Sequence, residues 1–245
     1  MIEEVLPSHV RAFEAFEHVP FSTLRPQEAT LVAKAVEGRR REFATARYCA
    51  HQALDALGAP DAPLLATPRG LPVWPEAVRG AITHTTGYHA AAVADASRVA
   101  ALGIDAEPDR PLPGGVLESI ALPEEIAQVT RLTARHPGIN WDKLLFSTKE
   151  SVYKAWFPQT SLALEFEDAL IRIDPVGRTF SARVLPPALV AAEPGLSTFA
   201  GRWLVRGGIV LTAITMDAPT SGRAPAGHRP DPEHKRPPIT SVSSP

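Results

Sequence analysis

The chain has 245 residues, 44% of them apolar and 21% charged, with a formal net charge of −2. That length buries a full core, as one large domain or two small ones, and the near-zero charge leaves no basic field to draw nucleic acid or an anionic membrane. Cys49 is the single cysteine, which excludes an internal disulfide and a cysteine-based zinc site.

The opening run Met1-Ile2-Glu3-Glu4-Val5 lacks the basic start of a secretion signal, and no stretch has the length of a membrane span. A cytoplasmic protein is the expectation. Residues 27–57 read as helical with a break near Gly38, and Phe43, Cys49, Ala50, Ala53, Leu54 and Leu57 recur at helical spacing until Gly58 and Pro60 stop the run. Residues 63–75 hold four prolines and Gly70, which makes a loop or short extended pieces. Strand-like runs follow at 81–85, 90–94 and 98–105, separated by turn residues at Gly87-Tyr88 and 95–97.

Residues 108–113 break the pattern and mark the join of two halves. A short helix is predicted over 118–131, with Pro123 near its start, and Asn140 can cap a helix that begins at Trp141. The stripe of that helix is Trp141, Leu144, Leu145, Thr148, Val152 and Ala155. The remainder is β-rich: 162–173, 179–185, and a hairpin of 199–205 with 209–216 around Arg206-Gly207-Gly208. After Asp217 the composition turns to Pro, Ser, Gly, Arg and His, a tail expected to be disordered. The fold class is α+β, in two similar halves, 1–107 and 108–217, with a tail at 218–245.

Chemistry gathers in two places. Side chains two apart on a strand share a face, so Asp105 and Glu107 can meet one cation while Ala106 points away. Glu150, from the later helix, adds a third hard oxygen, a set suited to Mg²⁺ on a phosphorylated substrate. Glu150 and Lys154 lie opposite the apolar stripe, where an exposed i,i+4 pair is the plain reading. Phe146, Tyr153 and Phe157 fall beside them and argue for a lined cleft. Arg39, Arg40, Arg41 and Arg47 cluster at a helix start, either as a solvated face or as a phosphate site to which Arg69 could add. His84 stands at a strand end beside a hydroxyl-rich turn and suits a phosphate contact, whereas His51, His89 and His136 read as structural. No glycine-rich phosphate loop, serine-hydrolase elbow or zinc spacing is present.

With these pieces in place the chain resembles the 4′-phosphopantetheinyl transferases of the larger bacterial type, near the enterobactin-type and actinobacterial branch. The resemblance rests on the arginine-rich run 39–50, Gly70-Leu71-Pro72-Val73-Trp74-Pro75, Ile82-Thr83-His84, Gly103-Ile104-Asp105-Ala106-Glu107-Pro108, and residues 146–156 around Lys149-Glu150 and Lys154, in family order. It implies two α+β halves about a pseudo-twofold axis with coenzyme A in the cleft between them. It implies Mg²⁺ held by Asp105, Glu107 and Glu150, with Glu150 also drawing the proton from a carrier serine. Lys154 would meet the departing 3′,5′-ADP, and Arg39, Arg47, Thr83, His84, Lys149 and more weakly Arg69 would hold coenzyme phosphates. The implied partners are acyl or peptidyl carrier proteins of fatty-acid, polyketide or nonribosomal peptide synthases, siderophore pathways included. No nucleic acid or membrane partner is implied, and a monomer is. Many relatives place a lysine where this chain has Leu71. Two other readings fit the acids: a different Mg²⁺-dependent phosphoester-cleaving enzyme, and a non-catalytic coenzyme A-binding protein.

Overall fold

Two long helices, each laid across an antiparallel sheet, organise the chain. The computed structural model describes residues 1–219, so the tail expected at 218–245 lies outside the described residues from 220 onward. The first half runs β1 (Arg11–Ala15), α1 (Pro26–Leu31), α2 (Glu37–Leu57), β2 (Val78–Thr85) and β3 (Tyr88–Asp95). Then come β4 (Val99–Pro108), α3 (Val116–Ile120), α4 (Pro123–Arg135), α5 (Trp141–Thr160), β5 (Ala169–Asp174), β6 (Thr179–Val184), α6 (Pro187–Ala192), β7 (Thr198–Arg206) and β8 (Ile209–Asp217).

Helix α2 buries Cys49, Ala50, Ala53 and Leu54 in a cluster with Ala91 and Val93 of β3. It ends where Gly58 takes a left-handed φ of 76°, which a side chain would disfavour. The break before it falls at Val32–Val36, not at Gly38, which lies inside α2. Helix α5 begins at Trp141 as predicted, yet Asn140 is not a side-chain cap: its Nδ2 donates to Asp109 Oδ1 at 2.8 Å. Trp141 and Trp156, both fully buried, fix its two ends, and truncating either to alanine is a loss of about 3–5 kcal/mol.

The sheets have orders β1-β3-β2 and β4-β8-β7-β6-β5. In each, the first strand pairs antiparallel with the last, and the last with the one before it. The repetition reaches single residues. Glu28 and Glu125 are each third in a helix that opens with proline, and each is wholly buried. Glu28 accepts from Arg25 N, Leu64 N and His51 Nε2. Glu125 accepts from Leu122 N and Ile171 N and pairs with Lys149. Each acid thus ties a helix start, an extended segment and the following long helix.

Strand β4 lies inside the segment expected to form the first half, but it hydrogen-bonds to β8 and stands to the second sheet as β1 does to the first. One face of β4 sends Leu102, Ile104 and Ala106 into a core shared with Ala81, Tyr88, Ala90 and Ala92. The other face meets α5. Both β4 and β2 are end strands, and side chains close the gap between them: Arg79 Nε donates to Ala100 O at 3.2 Å and Ala106 N donates to Thr83 Oγ1 at 2.9 Å.

Helix α5 comes so near β4 that a Cβ on Gly103 would run into the Ser151 carbonyl oxygen and stand 2.8 Å from Ala155 N. Backbone cannot yield as a side chain can. Gly103→Ala is expected to lose about 3 kcal/mol of stability by overpacking, read as a lower urea midpoint, with loss of activity because α5 must shift.

Candidate active site

The acids and the lysines meet where α5 crosses β4. Asp105 faces α5 and is almost wholly buried; its Oδ1 receives Lys154 Nζ at 2.7 Å and Thr83 Oγ1 at 3.4 Å, and its Oδ2 receives Ser147 Oγ at 2.8 Å. Glu107, two residues on and half-buried, receives Lys143 Nζ at 3.2 Å. Lys143 is a site residue that sequence reasoning missed; its ammonium also lies 5.3 Å from the Phe146 ring. Glu150 is half-buried on α5. Burial, then the charge of Asp105, push its carboxyl above the usual range, with Glu107 adding and Lys154 opposing. Glu107 is pushed up by burial and by Asp105 in turn, against the pull of Lys143 and Lys154.

The three acids therefore sense one another as one electrostatic group. Their oxygens are the donor set a hard cation takes, and their mutual repulsion is what such a cation relieves, so the residues present fit Mg²⁺. Among the described residues no three carboxylates, imidazoles or thiols are already drawn to ligand distance. Lysine ammoniums hold two of the three instead.

Across the cleft stands a cationic group from the first half. Arg39 Nη1 donates to His84 Nε2 at 3.2 Å and reaches Glu42 at 3.5 Å. Part of the His84 ring reaches solvent, but the packing around it and the charges of Arg39 and Lys154 hold its pKa below the ordinary imidazole value, with Glu42 opposing. Arg47 is buried with its guanidinium 4.5 Å over the Phe43 ring and its Nε without a partner. Burial pulls its pKa below the ordinary guanidinium value, Arg39 adds to the effect and Glu28 opposes it. Arg69 stands at the mouth, 5.2 Å over the Phe157 ring, which stacks on Tyr153 at 5.3 Å.

Two cavities flank α5. One, of about 420 Å³, lies between the halves and is lined by Leu71, Trp74, Ile82, Tyr153, Lys154 and Phe157. The other, of about 300 Å³, is lined by Glu150, Tyr153, Leu164 and Phe166. Tyr153 borders both, so the aromatic lining expected beside Glu150 is present.

Two expected phosphate ligands are placed otherwise. Lys149 points into the second half, where its ammonium binds Phe166 O at 2.7 Å, Ala169 O at 2.8 Å and Glu125 Oε2 at 2.9 Å, which uses all three donors. Thr83 is buried with its hydroxyl between Asp105 and Ala106 N, so it braces the acid and the strand. Lys154 does not pair with Glu150 four residues earlier; Asp105 takes it. His51 pairs with buried Glu28, His136 gives its carbonyl to Trp141, and His89 is buried with both ring nitrogens unpartnered and its pKa pushed down to about 4, so these three are framework.

Acids backed by lysines on one wall, with arginine and an imidazole on the other, suit an enzyme that handles phosphate esters. Comparison with known proteins narrows that class. The model for the 4′-phosphopantetheinyl transferase N-terminal domain matches residues 27–94, and that for the 4′-phosphopantetheinyl transferase superfamily matches 101–197. The chain is 49% identical over 222 residues to 4′-phosphopantetheinyl transferase Svp of Streptomyces mobaraensis, covering 89% of this chain and 90% of the relative. It is 43% identical over 224 residues to 4′-phosphopantetheinyl transferase PptT of Mycobacterium tuberculosis (88% and 98%), and 43% over 223 residues to 4′-phosphopantetheinyl transferase Npt of Nocardia iowensis (87% and 99%). The chain belongs to the 4′-phosphopantetheinyl transferase family.

Lys149→Met separates a framework lysine from a phosphate ligand. It leaves Glu125 buried and unpaired, so a stability loss of about 3–5 kcal/mol by urea unfolding is expected, with coenzyme A affinity of the folded fraction nearly unchanged.

Proposed function

We propose that this transferase moves 4′-phosphopantetheine from coenzyme A to a serine of an apo carrier protein in an Mg²⁺-dependent reaction that releases 3′,5′-ADP. The observation that carries the reading is the junction of Asp105, Glu107, Glu150 and Lys154 where α5 crosses β4, with Lys154 lining the cavity between the halves. Asp105, Glu107 and Glu150 would hold Mg²⁺, which when bound withdraws charge from the pyrophosphate oxygens.

The remaining work falls to the chain's own groups. The serine oxygen bonds to the phosphorus that carries pantetheine, and the bond from that phosphorus to the bridging oxygen breaks. Glu150 takes the serine proton, directly or through water; its raised proton affinity suits it to the task. The bridging oxygen leaves on 3′,5′-ADP, and Lys154 meets its growing charge. Arg39, Arg47 and His84 hold coenzyme phosphates from the opposite wall, and Arg69 supplies a cation near Leu71. Acyl or peptidyl carriers of fatty-acid, polyketide, siderophore or nonribosomal peptide synthases are the acceptors. The protein works in the cytoplasm.

The decisive assay incubates the full chain with Mg²⁺, coenzyme A and apo carriers and weighs the carriers. Wild type should add one phosphopantetheine. Glu150→Gln should turn over about 100-fold or more slowly, and Lys154→Ala should lose far more kcat than coenzyme affinity. Absence of added mass on every carrier removes the proposal, and phosphate released without carrier points to a phosphohydrolase.

A monomer is proposed as well, because one chain supplies both walls of the cleft. Sedimentation velocity should give a single species near 26.3 kDa; a stable dimer overturns it.

A further inference from the structure

Two buried hydroxyls behind Asp105 have no part in the chemistry so far. Ser147 Oγ donates to Asp105 Oδ2 at 2.8 Å. Thr212, directly opposite Asp105 in the β4–β8 register, has its Oγ1 3.0 Å from Ser147 Oγ and 2.9 Å from Ser147 O. Both residues are wholly shielded from solvent.

A hydroxyl inside a helix ordinarily turns back to a carbonyl of its own helix. Its neighbours on α5 do so: Thr148 bonds to Leu145 O at 2.7 Å and Ser151 to Thr148 O at 2.8 Å. Ser147 instead reaches across to the strand. A helix-start capping role is excluded, since Ser147 lies well inside α5.

We propose that Ser147, backed by Thr212, is a positioning residue that fixes the Asp105 carboxylate. It occupies Oδ2, so Oδ1 is the oxygen turned toward Lys154 and the cleft. It also ties the strand that bears Asp105 to the helix that bears Glu150 and Lys154, three and seven residues further on. The bond to an ionised acceptor is short and directional. Without it the carboxylate can rotate about its Cβ–Cγ bond and let both oxygens meet Lys154, which spoils its aim at a cation. This inference rests on the transferase reading, with Asp105 as a cation ligand.

The test uses Mn²⁺ as the probe, titrated onto the full chain and followed by the electron-paramagnetic-resonance signal of the free ion, beside the carrier assay. Ser147→Ala should bind Mn²⁺ about 10-fold or more weakly and lose kcat to a similar degree. Thr212→Val should shift both in the same direction by less, and Thr212→Ser, which keeps the hydroxyl, should match wild type. Ser151→Ala removes an equally buried hydroxyl from the same helix and should leave Mn²⁺ binding unchanged. Wild-type Mn²⁺ affinity in Ser147→Ala, or an equal loss in Ser151→Ala, overturns the proposal. Should Ser147→Ala not fold, Thr212→Val against Thr212→Ser decides it alone, and equal affinities overturn it. A wild-type chain that binds Mn²⁺ but modifies no carrier refutes the transferase reading instead.

Discussion

Helix α5 lies on β4 at a separation set by backbone alone, because Gly103 presents no side chain to the Ser151 carbonyl and the Ala155 amide. That close approach fixes which side chains of the two elements can meet. Two residues beyond Gly103 on the strand, Asp105 comes under the helix at the height of Ser147, Glu150 and Lys154. Its carboxylate is nearly dry, so each hydrogen bond to it is stronger than in water, and an unpaired oxygen would be correspondingly costly. Lysine, threonine and serine supply the donors.

The second constraint is the meeting of two open sheet edges. Edge strands expose unpaired amides and carbonyls, and β2 and β4 do not pair with each other. Arg79 and Thr83 satisfy part of the β4 edge with side chains, leaving the strands apart. The same line carries the cleft, with Trp74 and Ile82 on one wall and Tyr153 and Phe157 on the other. The paired acids Glu28 and Glu125 brace each half in the same way: a buried carboxylate bonded to a helix start, an extended segment and a cationic or imidazole group on the next helix. Residues of this one chain line both walls of the cavity between the halves.

Much of this was legible in the sequence, and the exceptions have physical reasons. Helical spacing located α2 and α5, glycines located the turns at Gly58 and around Gly207-Gly208, and the run up to Glu107 located the acids. Strand β1, Arg-Ala-Phe-Glu-Ala, is short and weak in β-branched residues, so its identity comes from pairing with β3. The partner of β4 was likewise hidden, because alternation fixes which face is buried but not which strand lies alongside. Lys149 did carry a signal. It follows Leu145 by four and precedes Val152 and Trp156 by three and seven, so it continues a buried row, and a lysine there requires a buried acid such as Glu125. Glu125 itself looked like an ordinary acid near a helix start. Lys143 and Thr212 reach the site through tertiary packing, and nothing local to their sequence marks them.

The balance of charge at the junction explains why neither the acids nor the lysines suffice alone. With all groups ionised, the three carboxylates Asp105, Glu107 and Glu150 face the two ammoniums Lys143 and Lys154, leaving one negative charge. A polyphosphate would be repelled by that wall, and the same repulsion adds to burial in pulling Glu107 and Glu150 upward. One divalent cation reverses the sign, so the wall becomes attractive to phosphate when the cation is present. Arg39 and Arg47 do not change sign, and on the proposed reading they would hold phosphate by a different route. On the proposed reading, coenzyme held from both sides would leave the phosphorus nearest Glu150 and Lys154 as the place where a serine attacks and a phosphate departs. Acids that repel one another are thus useful here because lysines only partly neutralise them.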